Sequence, residues 1–167
     1  MDAQTSEQLN TIGLEHHQGD MSGDQFLTFM LAGEEYGVDI LRVQEIKGLA
    51  GVTEIPNTPD YVLGVINLRG TVIPVVDLRL RFGIEALEYS KLTVVIVMRV
   101  QTPDAERTIG FVVDTVSDVY NILPDAVSES PDFGTEIDTS FVRGLVNVDD
   151  KMVIVLDVDK LADEDCL

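Results

Sequence analysis

The sequence predicts a mostly β protein, a barrel or a sandwich with few and short helices. Two observations favour this class. Short runs rich in valine and isoleucine recur along the chain, each bounded by Gly, Pro, Asn or Asp, and this pattern is typical of strands joined by tight turns. The order of landmarks within these runs also occurs twice, which indicates two related β units.

The strand candidates begin after a segment that lacks large apolar residues and clear periodicity. We predict a disordered tail over residues 1–24 and a single domain over residues 25–167. The strand candidates are QFLTFML, EYGVDIL, VLGVIN, TVIPVVD, KLTVVIVMRV, RTIGFVVD, RGLVNV and MVIVLDV. TVVIVM is apolar on both faces, which suits a central strand covered on both sides. Short helices are predicted after Asp77 and Asp157, because an aspartate there can cap the first turn.

Two pairs of segments carry the internal repeat. Residues 64–78 match residues 144–158 at a constant offset of 80, with Gly, Asn and Asp in the same places. Residues 37–46 match residues 110–119 at an offset of 73, with a shared Gly, apolar strand and Val-polar-acid-apolar ending. The repeat predicts β units at about 26–91 and 92–163, each with a hairpin turn, the first at Asn67 to Gly70 and the second at Asn147 to Asp150.

Charge narrows the range of partners. The chain has 30 Asp and Glu against 11 Lys and Arg, a formal net charge of −19. Such a field repels phosphate backbones and anionic lipid headgroups, so binding to nucleic acid or to a membrane surface is not expected. The N-terminus does not resemble a signal peptide, and the densest apolar run, Leu92 to Met98, is far too short to span a bilayer. A single cysteine, Cys166, favours a reducing compartment. We expect a cytoplasmic protein.

Residues suited to catalysis are few. His16 and His17 are adjacent in the predicted tail, and Cys166 is the penultimate residue, so neither a held general base nor a Cys–His pair is expected. No phosphate-binding glycine motif is present. Four aspartates could be imagined as Ca²⁺ ligands: Asp149, Asp150, Asp157 and Asp159. They lack the EF-hand spacing, and a solvated acidic face is the favoured interpretation. The sequence predicts a binding module with no enzymatic activity, cofactor or metal.

Comparison of the two predicted hairpins points to a contact residue. Arg69 lies in the first hairpin where the second has Asp149, so the turn itself does not require a cation. Arg69 is also close in sequence to Arg79 and Arg81, which predicts a local basic patch. An ordinary exposed turn residue is an equally good interpretation of Arg69.

Acidic and apolar positions upstream are also repeated. Glu45 and Asp118 occupy matching positions, so an acid there can be structural. An apolar stripe accompanies them and is most simply a core stripe: Val43, Ile46, Val116 and Val119. A groove between the two units would expose some of its members to a partner.

Four segments together resemble the CheW family, the adaptors that couple chemoreceptors to the histidine kinase CheA in bacterial chemotaxis. They are EEYGVDILRVQEIKG, NTPDYVLGVINLRGTVIPVVDLR, TVVIVM and GFVVDTVSDV, and the resemblance covers about residues 25–163. It implies two SH3-like five-stranded β-barrels packed on a shared hydrophobic core. It also implies a non-enzymatic scaffold with two interfaces. One docks on the C-terminal regulatory domain of CheA, and the other, a hydrophobic groove between the barrels, receives the helical hairpin tip of a receptor.

The resemblance also implies which residues bind these partners. Those matching positions implicated in the family are Val43, Glu45, Gly64, Arg69, Gly70, Val94 and Val119. Arg69 and Glu45 are most typical of functional surface residues, whereas Gly64 and Gly70 are typical of residues that shape the backbone. The partner that each residue serves stays open. Two alternatives remain: an adaptor of this type in another chemosensory pathway, such as motility or surface sensing, and a metal-dependent β-barrel enzyme, which the missing histidine framework disfavours.

Overall fold

The computed structural model describes residues 24–85, 88–123, 126–128 and 139–161. The tail predicted over residues 1–24 therefore lies almost entirely outside the described residues. Its last residue, Asp24, is the first residue of strand β1.

Ten strands and two four-residue helices make up the described fold. The strands are β1 (Asp24–Leu31), β2 (Glu34–Asp39), β3 (Val43–Gly48), β4 (Val62–Leu68), β5 (Thr71–Asp77), β6 (Val94–Gln101), β7 (Glu106–Val113), β8 (Thr115–Ile122), β9 (Val142–Val148) and β10 (Lys151–Leu156). Helix α1 (Leu78–Arg81) follows β5 and helix α2 (Val158–Leu161) follows β10. Single 3₁₀ turns lie at Ile40–Arg42 and Thr139–Phe141. The predicted mostly β class is confirmed.

The strands form two five-stranded sheets with equivalent topology. Sheet I has the order β8-β1-β2-β10-β9 and sheet II has the order β3-β6-β7-β5-β4. In both sheets the strand that precedes a short helix pairs in parallel with its neighbour, β10 with β2 and β5 with β7, and the other pairings are antiparallel. The position of the parallel pair is therefore the same in the two sheets.

The two sheets do not coincide with the two sequence units. Sheet I combines the β1–β2 hairpin of the first unit with β8, β9 and β10 of the second, and sheet II combines the β6–β7 hairpin of the second unit with β3, β4 and β5 of the first. Each unit therefore lends its first hairpin to the other sheet. The division near residue 91 separates the repeats, but it does not separate the barrels.

The repeated landmarks occupy equivalent structural positions. Asp77 Oδ1 accepts a hydrogen bond from the Arg79 amide at 2.9 Å, and Asp157 Oδ1 accepts one from the Asp159 amide at 3.1 Å. The predicted caps of both helices are therefore present. The predicted hairpins are also present, with two-residue turns at 69–70 and 149–150.

Three groups of buried side chains hold the fold together. The largest draws residues from both sheets, among them Phe29 of β1 and Phe111 of β7. Two smaller groups lie within single sheets, one around Val75 of sheet II and one around Val153 of sheet I. The predicted shared hydrophobic core is thus the principal core. Because it needs residues from both sheets, neither barrel can bury its apolar surface alone.

Candidate protein-binding site

Glu45 and Arg69 form an ion pair across the two edge strands of sheet II. Glu45 lies on β3, Arg69 lies in the turn after β4, and these are the outer strands of that sheet. Arg69 Nη2 is 2.6 Å from Glu45 Oε2. This contact bridges the two edges of sheet II, and we call the place where they meet seam II. Both residues were predicted as site residues from the sequence, but their separation along the chain does not predict a contact between them.

The two members of this pair differ greatly in exposure. The Arg69 side chain is 71% exposed and the Glu45 side chain is 16% exposed. Glu45 Oε2 is buried and accepts no aligned hydrogen bond within the part of the chain that the structure describes. The buried carboxylate therefore holds the guanidinium by charge, while most of the guanidinium's donors remain available to a partner.

Local sequence places Arg69 at the tip of the hairpin. Arg69 and Gly70 both have positive φ, 50° and 88°, as a two-residue turn between right-twisted strands requires. The Asn67 side-chain oxygen accepts a hydrogen bond from the Gly70 amide at 2.8 Å. Gly70 thus supplies a backbone conformation that other residues adopt at a cost, and this agrees with its predicted shape role.

Gly64 shapes the backbone in a different way. It lies at a register shift in the β4–β5 pairing and has φ 150°. A side chain there would place its Cβ 2.0 Å from the backbone oxygen of Thr53. Thr53 and Val65 exchange backbone hydrogen bonds of 2.8 and 2.9 Å. The missing side chain of Gly64 therefore lets the chain around Thr53 lie directly on β4.

The three predicted valines belong to the shared core or to its margin. Val43 and Val94, the first residues of β3 and β6, are half-buried and pack against the shared core. Val119 on β8 is fully part of that core. Of the other stripe members, Ile46 is buried and Val116 is half-buried. The core interpretation of the stripe therefore holds for Ile46 and Val119, and partial exposure is confined to Val43, Val94 and Val116.

The expected basic patch around Arg69 is not formed. Arg79 and Arg81 lie on α1, at the far end of β5 from the hairpin turn, and seven residues of strand span about 20 Å. Arg79 pairs with Asp114 at 2.7 Å. Arg81 lies over the Phe141 ring and donates to the Leu161 carbonyl oxygen. Proximity in sequence was misleading because an extended strand separates its two ends.

Sequence reasoning missed an exposed apolar residue next to this turn. Val72, the second residue of β5, is 63% exposed and follows the Arg69–Gly70 turn. The alternation of β5 predicts an outward side chain here, and valine at such a position was the available signal. An exposed valine beside a held arginine is a suitable surface for a protein contact.

No cluster for metal chemistry is found in the described ranges. Groups of three or more His, Cys, Asp or Glu side chains able to hold a metal ion are absent among these residues. His16, His17 and Cys166 lie outside them. No described helix is long and apolar enough to cross a membrane.

The geometry therefore defines a fold of two five-stranded sheets with an exposed guanidinium, Arg69, and an exposed valine, Val72, at seam II. The family model for the CheW-like domain matches residues 25–166. The chemotaxis protein CheW of Klebsiella aerogenes is 43% identical over 143 residues, which cover 86% of this chain and 84% of that protein. The CheW of Rhizobium meliloti is 35% identical over 139 residues, 83% of this chain and 87% of that protein.

A solved structure has the same fold. The scaffolding protein TtCheW from Thermoanaerobacter tengcongensis matches with a TM-score of 0.76 and 38% identity, over 83% of this chain and 92% of that one. The chain belongs to the CheW-like family, and it is a chemotaxis adaptor. The resemblance stated from sequence motifs is confirmed.

Proposed function

We propose that this adaptor couples the cytoplasmic tips of methyl-accepting chemoreceptors to the histidine kinase CheA. It binds the C-terminal regulatory domain of CheA through one surface and the helical hairpin of a receptor through another. It catalyses no reaction and uses no cofactor. It works in the cytoplasm and reaches membrane receptor arrays only through its partners. Family membership supports this proposal.

The observation that carries the proposal is the exposed guanidinium of Arg69 held by Glu45. The chain has a net charge of −19, so a fixed cation on its surface selects an acidic partner group against a repulsive background. Fixing the arginine in advance lowers the entropy that binding would otherwise cost. Val72 adds exposed apolar area beside it. We assign this surface, seam II, to one of the two partners.

The second surface lies at the margin of the shared core. Val43, Val94 and Val116 are half-buried there, and a receptor hairpin presents apolar side chains at helical spacing. We propose that the receptor tip packs on this margin, between the barrels. Val119 and Gly64 then act indirectly, because Val119 is buried and Gly64 shapes the backbone below the surface.

Coupling follows from binding both partners at once. Holding the kinase and the receptor on one rigid scaffold raises the effective concentration of each near the other. A conformational change at one contact can alter the affinity at the other through the shared core. This effect is a coupling free energy between the two sites.

The experiment measures binding of CheA regulatory domain and of a receptor cytoplasmic fragment by titration calorimetry. Arg69→Ala is compared with Arg107→Ala, which removes an exposed arginine of β7 in the same sheet. Arg69→Ala should weaken the binding of one of the two partners at least several-fold, and Arg107→Ala should leave the binding of both unchanged. Wild-type protein that binds neither partner would contradict the proposal. Binding to the kinase without any receptor binding would favour the other chemosensory pathway.

A further inference from the structure

The two β units of this chain are interlocked by their exchange of hairpins. In sheet II the β6–β7 hairpin of the second unit lies between β3 and β5 of the first. In sheet I the β1–β2 hairpin of the first unit lies between β8 and β10 of the second. The shared core also draws on both units, for example through Phe29 and Phe111. Each unit therefore needs a unit of the other kind, and these contacts do not require both units to belong to the same chain.

A short turn is the last part of the connection between the units. The chain passes from the first unit to the second between α1 and β6, and residues 90–93 lie directly before β6. The Thr93 amide donates to the Ser90 carbonyl oxygen at 3.2 Å, and the Ser90 amide donates to Thr93 Oγ1 at 2.9 Å. The Leu92 amide donates to Ser90 Oγ at 3.1 Å. These hydrogen bonds lie within the turn, so water can replace them when the turn opens.

The chain is held on both sides of this turn. Directly before it, the Tyr89 hydroxyl donates to Asp77 Oδ2 at 2.7 Å, and Asp77 is buried at the end of β5 in the first unit. Directly after it, Val94 begins β6 of the second unit. Residues 90–93 are therefore the place where the chain can change direction. Four extended residues span about 13 Å, so an open turn carries β6 away from the first unit of its own chain.

The turn also exposes apolar side chains. Leu92 is 65% exposed and Tyr89 is 45% exposed. A turn does not require a leucine, and exposed apolar area of this kind is available to a partner. In a pair of chains related by a twofold axis, the same residues of the two copies contact each other. Two open turns that pass each other near such an axis bring the two Leu92 side chains together and cover them.

We propose that two copies of this chain exchange units by opening the turn at residues 90–93, so that each sheet receives its lent hairpin from the other copy. The exchanged dimer keeps the strand pairings and the buried groups of the monomer, because each first unit still packs on a second unit. The two forms differ only at the turns. Such a dimer presents two seam II surfaces on one particle. This inference does not depend on the partners proposed above, since it rests on the topology and the turn.

The length of the connection decides which form prevails. A short connection that closes gives the two units of one chain an effective concentration of about millimolar, so the monomer is favoured in dilute solution. A connection too short to close removes this advantage and favours the dimer. Exchange also requires the shared core to open, so it takes place during folding, as is typical of chains built from repeats.

The first experiment shortens the turn in the full chain. A variant that lacks Lys91 and Leu92 is compared with one that lacks Pro103 and Asp104. Each variant loses two exposed turn residues, but the second turn lies inside the β6–β7 hairpin and does not join the units. After refolding, light scattering should give a dimer mass for the first variant and a monomer mass for the second, both with a cooperative circular dichroism melt. A folded monomer of the first variant would overturn the proposal, as would equal dimerisation of both.

The second experiment leaves the turn intact and uses two damaged full-length chains. Val75 on β5 belongs to the first unit and Val95 on β6 to the second, and both are buried in sheet II. Val75→Asp and Val95→Asp should each lack a cooperative melt, because a buried unpaired charge is costly. An exchanged pair of these chains joins the intact first unit of one to the intact second unit of the other. Refolding them together should therefore restore a cooperative melt, in a species with the mass of a dimer.

The matched control mixes Val95→Asp with Val112→Asp. Val112 on β7 is also buried in sheet II, but both substitutions now lie in the second unit, so no exchange can combine two intact units. This mixture should not regain a cooperative melt. If the variant that lacks Lys91 and Leu92 does not fold, the comparison of the two mixtures decides alone. Equal behaviour of the two mixtures, with or without a cooperative melt, means that the units do not exchange between chains.

Discussion

Arg79 and Asp114 form an ion pair that links the two sheets. Arg79 Nε and Nη2 donate to Asp114 Oδ1 and Oδ2 at 2.8 and 2.7 Å, and the Ala32 amide of the β1–β2 turn donates to Oδ2 at 2.9 Å. Arg79 follows β5 of sheet II, whereas Ala32 belongs to the turn of sheet I. Three separate segments therefore meet at one carboxylate.

A corresponding ion pair lies where helix α2 meets the end of β6, with the acid and the base on opposite elements. Asp159 on α2 takes the repeat position of Arg79 and pairs with Arg42 at 2.6 Å. The Gln101 amide, at the end of β6, donates to Asp159 Oδ1 at 2.7 Å. Each junction between the barrels thus closes with one bidentate ion pair and one backbone amide. Both junctions therefore carry an ion pair, although the charges lie on opposite elements.

Asp114→Asn should reduce stability in a pH-dependent way. The hydrogen bond from Arg79 lowers the pKa of Asp114, against the effect of burial, and the Ala32 amide lowers it further. A lowered folded-state pKa contributes stability that is present above the unfolded value of 3.8 and lost as pH falls through the folded value. At pH 7 the variant should lose about 1–3 kcal/mol. Denaturant titrations at several pH values measure this loss.

The difference between wild type and Asp114→Asn should shrink as pH falls from about 4 towards the lowered folded-state pKa, because the unfolded wild-type chain protonates Asp114 first and the folded chain follows. Asp104→Asn, an exposed substitution in the β6–β7 turn, is the control and should show no such pH dependence. A difference that stays constant from pH 7 to the lowest accessible pH would contradict the assigned role of Asp114.

Residues 92–167 should not fold alone. Their β6–β7 hairpin belongs to sheet II, whose other three strands come from the first half of the chain. Their remaining strands, β8, β9 and β10, lack the β1–β2 hairpin that lies between β8 and β10 in sheet I. Circular dichroism of the fragment should show no cooperative melt. Mixing it with residues 1–91 should restore one, since the halves exchange hairpins. A cooperative melt of either fragment alone would be inconsistent with this exchange.

The sequence predicts the strands well because their patterns are local. Valine-rich runs and the Asn67 and Asn147 turns are readable over a few residues, and the repeat confirms each landmark twice. The exchange of hairpins is not readable in this way. A hairpin that pairs within its own unit and one that pairs with the other unit bury the same alternating residues. Long-range pairings between the units, such as that of β2 with β10, distinguish them.

The candidate site was predictable in part for the same reason. Contrast with Asp149 singled out Arg69, but its contact with Glu45 depends on barrel closure, which no local pattern encodes. The prediction of a basic patch was wrong because the extended strand β5 separates Arg69 from Arg79.

Gly64→Ala should damage the protein more than Gly70→Ala. A Cβ at residue 64 would lie 2.0 Å from the Thr53 oxygen, so backbone must move, whereas a Cβ at residue 70 meets nothing within 4 Å. We expect a loss of about 3 kcal/mol or more for Gly64→Ala. Gly70→Ala should lose about 1–2 kcal/mol, for its positive φ alone. Thermal melts compare the two. Equal losses would mean that the approach of Thr53 is not tightly constrained.

Removal of residues 1–23 should leave stability and binding unchanged. This segment has few large apolar side chains, so it has little area to contribute to a core. The melting temperature and the affinity for CheA regulatory domain of the truncated chain are the measurements. A drop of several degrees, or the loss of most of the affinity, would show that the segment packs on the domain.

Arg69→Ala should impair binding and spare folding. The Arg69 side chain is 71% exposed, and exposed ion pairs contribute only about 0–1 kcal/mol to stability. Its melting temperature should therefore stay within a few degrees of wild type, while one partner binds at least several-fold more weakly. Arg69→Asp should bind still more weakly, because it would place a second negative charge beside Glu45.

Val95→Asp supplies the opposite control. Val95 is buried within sheet II, and an unpaired charge there costs several kcal/mol, a large part of the stability of a typical domain. We expect this variant to lack a cooperative melt, so its failure to bind reports unfolding. Arg69→Ala should combine a wild-type circular dichroism melt with weakened calorimetric binding. Normal binding of both partners by Arg69→Ala would mean that Arg69 is an ordinary exposed turn residue, the alternative that its sequence position equally allows.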